Sequence, residues 1–273
     1  KRFMNFQDLM PVLYDFTWKD FVMIAVGLTL IFLAIKKEYE PTLLLPMGFG
    51  AILVNIPFTS ALTQIDPVTG KAIEGALSVF FEAGIATEVF PLLIFVAIGA
   101  MIDFSPLFKN PFLLLFGAAA QFGIFFTMFA ATLLGFPLHE AASIGIIGAA
   151  DGPTSIFVAS RFAPELLGPI SVAAYSYMAL VPIIQPPVIK AITSRKERLI
   201  RMEAQKKIVS RTALILFPIT VTIIAGIIAP SSLALIGFLM FGNLIRECGV
   251  LNKLSLAAQN ELASLVTILL GIT

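Results

Sequence analysis

The 273-residue sequence has few charged residues and almost no cysteine or histidine, and each shortage excludes a class of protein. Only 13% of its residues are charged, whereas a soluble globular domain carries about 25%. A net charge of +1 gives no electrostatic reason to expect a nucleic-acid partner. The single cysteine, Cys248, and the single histidine, His139, exclude an intramolecular disulfide and a cysteine-based metal cluster. We interpret His139 as an interfacial loop residue between two apolar stretches.

The sequence also lacks the Gly-x-x-x-x-Gly-Lys-Ser/Thr loop and the His-Glu-x-x-His motif. The first binds nucleotide phosphates, and the second binds zinc from one face of a helix. Any energy that this chain uses for transport must therefore come from another chain or from an ion gradient.

Apolar residues dominate what is present, at 58% of the chain and a mean hydropathy of +0.96. Within lipid, a helix pairs all of its backbone groups internally, whereas an open strand leaves them unpaired. The sequence therefore predicts an all-α polytopic membrane protein with a single transmembrane domain over residues 1–273. The apolar segments cover residues 21–35, 43–57, 89–102, 112–136, 141–159, 166–192, 212–229, 232–245 and 262–273.

Lysine and arginine residues in the connections predict the orientation of these segments. Residues 193–211 contain seven of the eighteen basic residues, so we place this basic loop in the cytoplasm and the N-terminus outside. Glu197 and Arg201, at helical spacing, favour a solvated helix there; a docking surface for a soluble partner is the alternative. The long connection 58–88 is then extracytoplasmic, and we expect it to include a short amphipathic helix.

The segment 141–159 contradicts this orientation if it crosses the membrane fully. Its middle contains Gly152 and Pro153, which cannot continue a regular helix, because Pro153 lacks an N–H and disfavours helical geometry in the residue before it. We therefore predict that the segment enters the membrane, breaks at Asp151 and turns back. Broken helices of this kind mark ion sites in transporters.

Asp151 carries the strongest functional signal, because an aspartate at a helix centre in lipid costs about 2.5–3.5 kcal/mol or more. Such a residue belongs to an ion path, a proton relay or an internal pair, although it can also cap a half-helix. Hydroxyls of Thr154 and Ser155 are candidate oxygen ligands for Na⁺ beside it; back-bonding to the helix is the alternative for both.

Two further segments carry polar or helix-breaking residues. Tyr175 and Tyr177 lie within 166–192, and for a tyrosine in an apolar helix packing is the default role. The tandem prolines after Gln185 predict a stop or kink there. The final apolar stretch, 262–273, stops after 12 residues, whereas a spanning helix needs about 20. We expect this segment to be incomplete and the chain to be a fragment of a longer one.

Four motifs make the middle of the chain resemble the beta subunit of the sodium-translocating biotin-dependent decarboxylases, the oxaloacetate, methylmalonyl-CoA and glutaconyl-CoA pumps. Shorter matches at 40–46 (Glu-Pro-Thr-Leu-Leu-Leu-Pro) and 241–244 (Phe-Gly-Asn-Leu) extend the resemblance over nearly the whole chain. The four motifs are Gly-Ala-Ala-Asp-Gly-Pro-Thr-Ser-Ile at 148–156, Ala-Pro-Glu-Leu-Leu-Gly at 163–168, Ala-Ala-Tyr-Ser-Tyr-Met-Ala-Leu-Val-Pro at 173–182 and Ile-Gln-Pro-Pro at 184–187.

This resemblance implies a translocase that decarboxylates carboxybiotin held by a partner chain, exports Na⁺ and consumes a proton. It implies that Asp151 binds Na⁺ and that Tyr177 contributes to the coupled ion and proton path. The implied partners are biotin-carrier and carboxyltransferase chains, a small membrane subunit of the gamma/delta type and further copies of the chain, in the cytoplasmic membrane of a bacterium.

One departure limits what the resemblance carries over. Family members continue into Asn-Pro-x-Ile-Gly and Pro-Met-Ser-Ala-Arg-like motifs that are absent here. We therefore expect this chain to contain half of the ion site. We also expect its fold to be one half, plus part of the other half, of an inverted-repeat transporter-like fold. The rival hypothesis is a secondary transporter of a small anion, driven by an ion gradient alone and using the same Asp151. A biotin-carrying partner would separate the two.

Overall fold

A computed structural model describes residues 16–39, 41–66, 69–201 and 209–273. Within them, four helices are long and apolar enough to cross a membrane, or up to six if each of two bent pairs forms one span. The all-α polytopic membrane architecture predicted from the sequence is therefore confirmed. The chain divides into two compact units; the first is Lys1–Val89 with Thr267–Thr273, and the second is Phe90–Val266.

The first unit is built on a pair of closely packed helices, α1 (Trp18–Lys37) and α2 (Pro41–Val54). Helix α1 begins in a capping box, in which the Thr17 hydroxyl and the Asp20 carboxylate each accept a hydrogen bond from the other residue's backbone N–H. An added Cβ on Gly27 would lie 2.6 Å from the carbonyl oxygen of Gly48. Glycine therefore lets the two helix backbones touch.

The connection 58–88 contains more structure than the sequence indicated. A two-stranded antiparallel hairpin pairs β1 (Gln64–Ile65) with β2 (Ala72–Ile73). The predicted short helix is present as α3 (Ala76–Phe80), which runs on into a π-helical turn, Phe81–Ala86. The side of the membrane on which this connection lies stays a prediction.

The second unit contains most of the remaining helices, and some of its connections include a short 3₁₀ turn, at Pro111–Leu113, Ile146–Ala149, Pro164–Leu166 and Pro230–Ser232. The basic loop predicted at 193–211 opens with a short helix, α10 (Arg195–Arg198), whose capping box is formed by Ser194 and Glu197. Residues 202–208 of that loop lie outside the described residues. The helices are α4 (Val89–Met101), α5 (Ser105–Lys109), α6 (Leu114–Leu133), α7 (Leu138–Gly145), α8 (Gly152–Phe162), α9 (Leu167–Ile192), α10 (Arg195–Arg198), α11 (Arg211–Ile228) and α12 (Leu233–Glu247).

The final apolar segment is longer than the sequence predicted. Helix α13 (Asn252–Ala257), a π-helical turn (Ala258–Leu262) and α14 (Ala263–Ile272) together form a candidate span, Asn252–Ile272, of 21 residues. The predicted start at 262 was wrong because Gln259, Asn260 and Glu261 lower the hydropathy without ending the helix.

Helix α9 continues through the tandem prolines to Ile192, so of the two predicted outcomes, a stop or a kink, the stop is wrong. Its axis instead bends by 57° between Pro164–Met178 and Ile183–Ile192. An interior proline removes a helical hydrogen bond and its ring crowds the carbonyl of the preceding turn, which bends a helix, whereas its fixed φ is compatible with helical backbone, so the helix continues beyond the bend.

Candidate functional site

The segment predicted to be re-entrant folds back on itself. Ligand atoms of His139, Glu140 and Glu165 lie within 4.8 Å of one another. Helix α7 with its 3₁₀ turn rises about 20 Å, and α8 rises about 16 Å. A straight passage would therefore separate His139 from Glu165 by about 35 Å. The two arms form a hairpin, as the sequence predicted, and its entry into the membrane from one face stays a prediction. His139 lies in the first turn of α7 rather than in a loop.

Asp151 lies at the tip of this hairpin, between the 3₁₀ turn Ile146–Ala149 and helix α8. The tip is about 16 Å from the mouth along α8. Because the hydrocarbon core of a bilayer is about 30 Å thick, a hairpin that enters from one face places Asp151 near the middle of the membrane. A carboxylate at that depth needs a specific partner.

The break at the tip is made by two successive non-helical residues. Ala150 adopts the left-handed conformation, with φ 55° and ψ 39°, and Asp151 is extended, with φ −132° and ψ 104°. Pro153 lies in the first turn of α8, where its missing N–H costs nothing. The Ala150 N–H donates to the Ile147 carbonyl and ends the 3₁₀ turn, and the carbonyl groups after Ile147 have no later N–H in the same turn from which to accept. Since the carbonyl end of a helix attracts cations, a cation is favoured between these carbonyls and the carboxylate.

Two hydroxyl groups donate hydrogen bonds to Asp151, one to its side chain and the other to its backbone. The Thr154 hydroxyl donates to the Asp151 carboxylate. The Ser155 hydroxyl donates to the Asp151 backbone carbonyl at 2.9 Å, and the Ser155 side chain is fully buried. Ser155 therefore makes the back-bonded contact that was the alternative to a ligand role. Both oxygens keep lone pairs after donating, so both can still contribute to a cation site.

Helix α9 supplies two side chains that the sequence analysis did not assign to this site. The Gly152 N–H donates to the sulfur of Met178 at 3.0 Å. The ring of Tyr175 lies against Gly152 so closely that a Cβ on Gly152 would overlap it. Tyr175 and Met178 are three residues apart and share one face of α9. Because this helix is apolar on all sides, its sequence does not indicate which face packs against the hairpin.

Tyr177 lies on a different side of α9 from Tyr175. Two residues along a helix correspond to a rotation of about 200°, and Tyr177 is 39% exposed while Tyr175 is 2% exposed. Among the hydrogen bonds of the described residues, none joins Tyr177 to Asp151. The structure thus brings Asp151, Thr154 and Ser155 together and leaves the role of Tyr177 a prediction.

These features define a class of protein. A polytopic helical protein with a re-entrant hairpin, a carboxylate at its tip and hydroxyls beside it has the features of an ion-translocating membrane protein.

Comparison with known proteins identifies the family. The chain matches, over residues 19–273, the family described as the Na⁺-transporting oxaloacetate decarboxylase beta subunit, and it belongs to that family.

Three relatives from different decarboxylases are similar to the chain over nearly its whole length. The beta subunit of methylmalonyl-CoA decarboxylase from Propionigenium modestum is 48% identical over 275 residues, covering 95% of this chain and 69% of the relative. The beta subunit of glutaconyl-CoA decarboxylase from Acidaminococcus fermentans is 52% identical over 256 residues, covering 94% and 65%. The probable oxaloacetate decarboxylase beta chain of Vibrio cholerae is 42% identical over 314 residues, covering 96% and 72%. The chain thus spans about two thirds of the length of these relatives.

Proposed function

We propose that this chain is the membrane subunit of a sodium-pumping decarboxylase, and that it couples decarboxylation of carboxybiotin to Na⁺ export with uptake of a proton. The relatives are named as subunits of three different decarboxylases. The three decarboxylases act on different substrates but have this membrane subunit in common. That supports a common task in ion transport for the membrane subunit, with the carboxylic substrate chosen by another chain.

The observation that carries the proposal is the position of Asp151 at the hairpin tip. Na⁺ is a hard cation that takes oxygen ligands, and the tip offers a carboxylate, the Thr154 and Ser155 hydroxyls and the carbonyl end of a 3₁₀ turn. The single negative charge of Asp151 balances the single positive charge of the ion. Since burial disfavours an unpaired charge, the ion and the ionised carboxylate stabilise each other.

Release of the ion requires that the same carboxylate be neutralised. Moving one charge against 100 mV takes about 2.3 kcal/mol, and the sequence has no nucleotide-binding loop to supply it. In carboxybiotin decarboxylation the C–N bond breaks, CO₂ leaves and the biotin nitrogen takes up a proton. A proton path that passes through Asp151 would displace Na⁺ as the proton arrives, and Tyr177 is the residue proposed to relay it.

The proposed reaction assigns partners and a location to the chain. Biotin-carrier and carboxyltransferase chains deliver carboxybiotin, a small membrane subunit of the gamma/delta type joins the complex, and several copies of this chain assemble. The location is the cytoplasmic membrane of a bacterium, with the basic loop at 193–211 facing the soluble partners.

Reconstitution of the full-length complex into vesicles tests the proposal. We expect ²²Na⁺ uptake to begin when the carboxylic substrate is added, to match decarboxylation in its dependence on sodium, and to stop when avidin binds the biotin group. Uptake that avidin leaves unchanged, and that an imposed ion gradient alone can drive, would establish the rival secondary transporter instead.

A further inference from the structure

The phenolic oxygen of Tyr175 is the one buried side-chain oxygen or nitrogen, among the described residues, that has no hydrogen-bond partner. Tyr175 is 2% exposed. A buried hydroxyl without a partner is costly, and buried tyrosine hydroxyls usually find one. Packing alone therefore accounts for the ring of Tyr175 but leaves its hydroxyl group unexplained.

The location of this hydroxyl points to the hairpin tip. The ring atoms Cδ1, Cε1 and Cζ are those that a Cβ on Gly152 would meet first, so the Cζ–Oη bond begins beside the first residue of α8. Gly152 directly follows Asp151 in the chain, so the ring of Tyr175 packs against the residue next to the one that carries the carboxylate. Met178, one turn further along α9, accepts the Gly152 N–H and holds the two helices in register.

We propose that the Tyr175 phenolic oxygen is a ligand of the Na⁺ ion held by Asp151. The proposal rests on the proposed function and deepens it, because it assigns an oxygen that comes from α9 rather than from the hairpin. A neutral phenol oxygen adds a lone pair without adding charge, so the site stays balanced at one carboxylate to one cation. Ligands from two helices make the site depend on the contact between α8 and α9.

This assignment also explains why glycine follows Asp151. Any side chain at Gly152 would displace the Tyr175 ring and move its oxygen away from the carboxylate. The glycine therefore serves the close approach of a ring to a backbone, whereas its φ needs no special freedom, since Gly152 is an ordinary helical residue.

Tyr175→Phe in the full-length complex is the test, because it removes one oxygen and keeps the ring. We expect the sodium concentration for half-maximal decarboxylation to rise about tenfold, with the rate at saturating sodium changed less than about twofold. The gain in Tm that sodium gives over choline at equal ionic strength should shrink, since ligand stabilisation follows affinity. Tyr39→Phe removes a phenol oxygen in the first unit and should change neither quantity.

A purely structural Tyr175 predicts the opposite pattern. Removing an unpaired buried hydroxyl then raises the Tm with or without sodium, and the sodium dependence stays that of the unmodified complex; this result overturns the inference and leaves the proposed function standing. A complex whose unmodified form shows no sodium dependence overturns the proposed function, and the inference with it.

Discussion

Two polar side chains inside the second unit, Asn243 and Asp151, have opposite surroundings. The amide of Asn243 donates to the carbonyl oxygens of Gly99 and Ile102, at 3.3 and 2.9 Å, and the side chain is 1% exposed. Asn243 thus caps the C-terminal end of α4. Arg246 lies beside it and donates to the Met101 carbonyl at 2.7 Å. Each donor therefore meets a carbonyl that the end of a helix leaves free.

At the hairpin tip, by contrast, the polar groups are not all hydrogen-bonded to other groups of the protein. Asp151 is paired with one hydroxyl, from Thr154, and the nearby Tyr175 hydroxyl has no partner among the described residues. A polar group in a membrane protein that is fully paired within the protein stabilises the fold, as at Asn243. Polar groups held together with spare lone pairs are suited to a cation, as at Asp151.

The largest effect on stability is expected where glycine allows α4 and α12 to touch. An added Cβ on Gly242 would overlap the Val96 carbonyl, so Gly242→Ala must force the helices apart. We expect a loss of about 10 °C in Tm or failure to assemble, the equivalent of roughly 3 kcal/mol. Gly237→Ala on the same helix is the control, because its Cβ would meet only the Thr222 methyl at 3.8 Å. Equal Tm values for both variants would contradict this account.

Asn243→Leu should have a smaller effect, confined to stability. It leaves the two carbonyl groups of α4 without their donor, which costs about 1–3 kcal/mol or roughly 3–8 °C in Tm. The sodium concentration for half-maximal decarboxylation should not change. The exposed Asn252→Leu serves as the control for the substitution itself. A changed sodium dependence in Asn243→Leu would remove the distinction between the two regions.

Gly152→Ala should show the reverse pattern, with sodium dependence changed more than stability. The new methyl group displaces the Tyr175 ring, and we expect the half-maximal sodium concentration to rise about fivefold, or about 1 kcal/mol. Gly168→Ala, at the start of α9, adds the same methyl group where no atom lies within 4 Å. The measurement is decarboxylation by each variant as a function of sodium concentration. Identical half-maximal sodium concentrations for Gly152→Ala and Gly168→Ala would contradict this prediction.

The smallest effect is expected at Asp103, in the connection after α4. Hydrogen bonds from the Ser105 hydroxyl and backbone N–H lower the pKa of Asp103 below its ordinary value of 3.8, with the Arg246 charge assisting. A lowered folded-state pKa stabilises the fold above about pH 3.8, and the contribution is lost as the pH falls through the folded-state pKa. Ser105→Ala should therefore lower the Tm at pH 7 by no more than about 2 °C. The difference should fade towards pH 3; one that is constant with pH would point to packing instead.

The sequence predicted the helices and the hairpin break well because both depend on local chemistry. Apolar runs fix where helices lie in lipid, and Gly152 with Pro153 fixes where one must stop. Contacts between helices were not predictable in the same way. The choice of Tyr175 over Tyr177 as the neighbour of Gly152 depends on the rotation of α9, and an all-apolar helix gives no amphipathic period that would set it.

The errors at the segment ends have a similar origin. The polar turn at Ala258–Leu262 lowered the local hydropathy, so the last span was predicted to begin ten residues late. The prolines after Gln185 were expected to stop or kink α9; the helix bends and continues, because a helix near its end loses only a few hydrogen bonds to them. Hydropathy and helix-breaking residues report local preference, whereas packing against neighbouring helices decides where a helix ends.

The central claim is that the charge of Asp151 holds the transported ion, and Asp151→Asn tests it most directly. Asparagine keeps the size of the side chain and one oxygen, and it caps a helix about as well as aspartate does. The measurement is ²²Na⁺ uptake coupled to decarboxylation by the reconstituted full-length complex. We predict a complex that assembles normally and shows no sodium uptake. Near-normal uptake by the Asp151→Asn complex would show that the carboxylate only caps the hairpin, and would contradict the account.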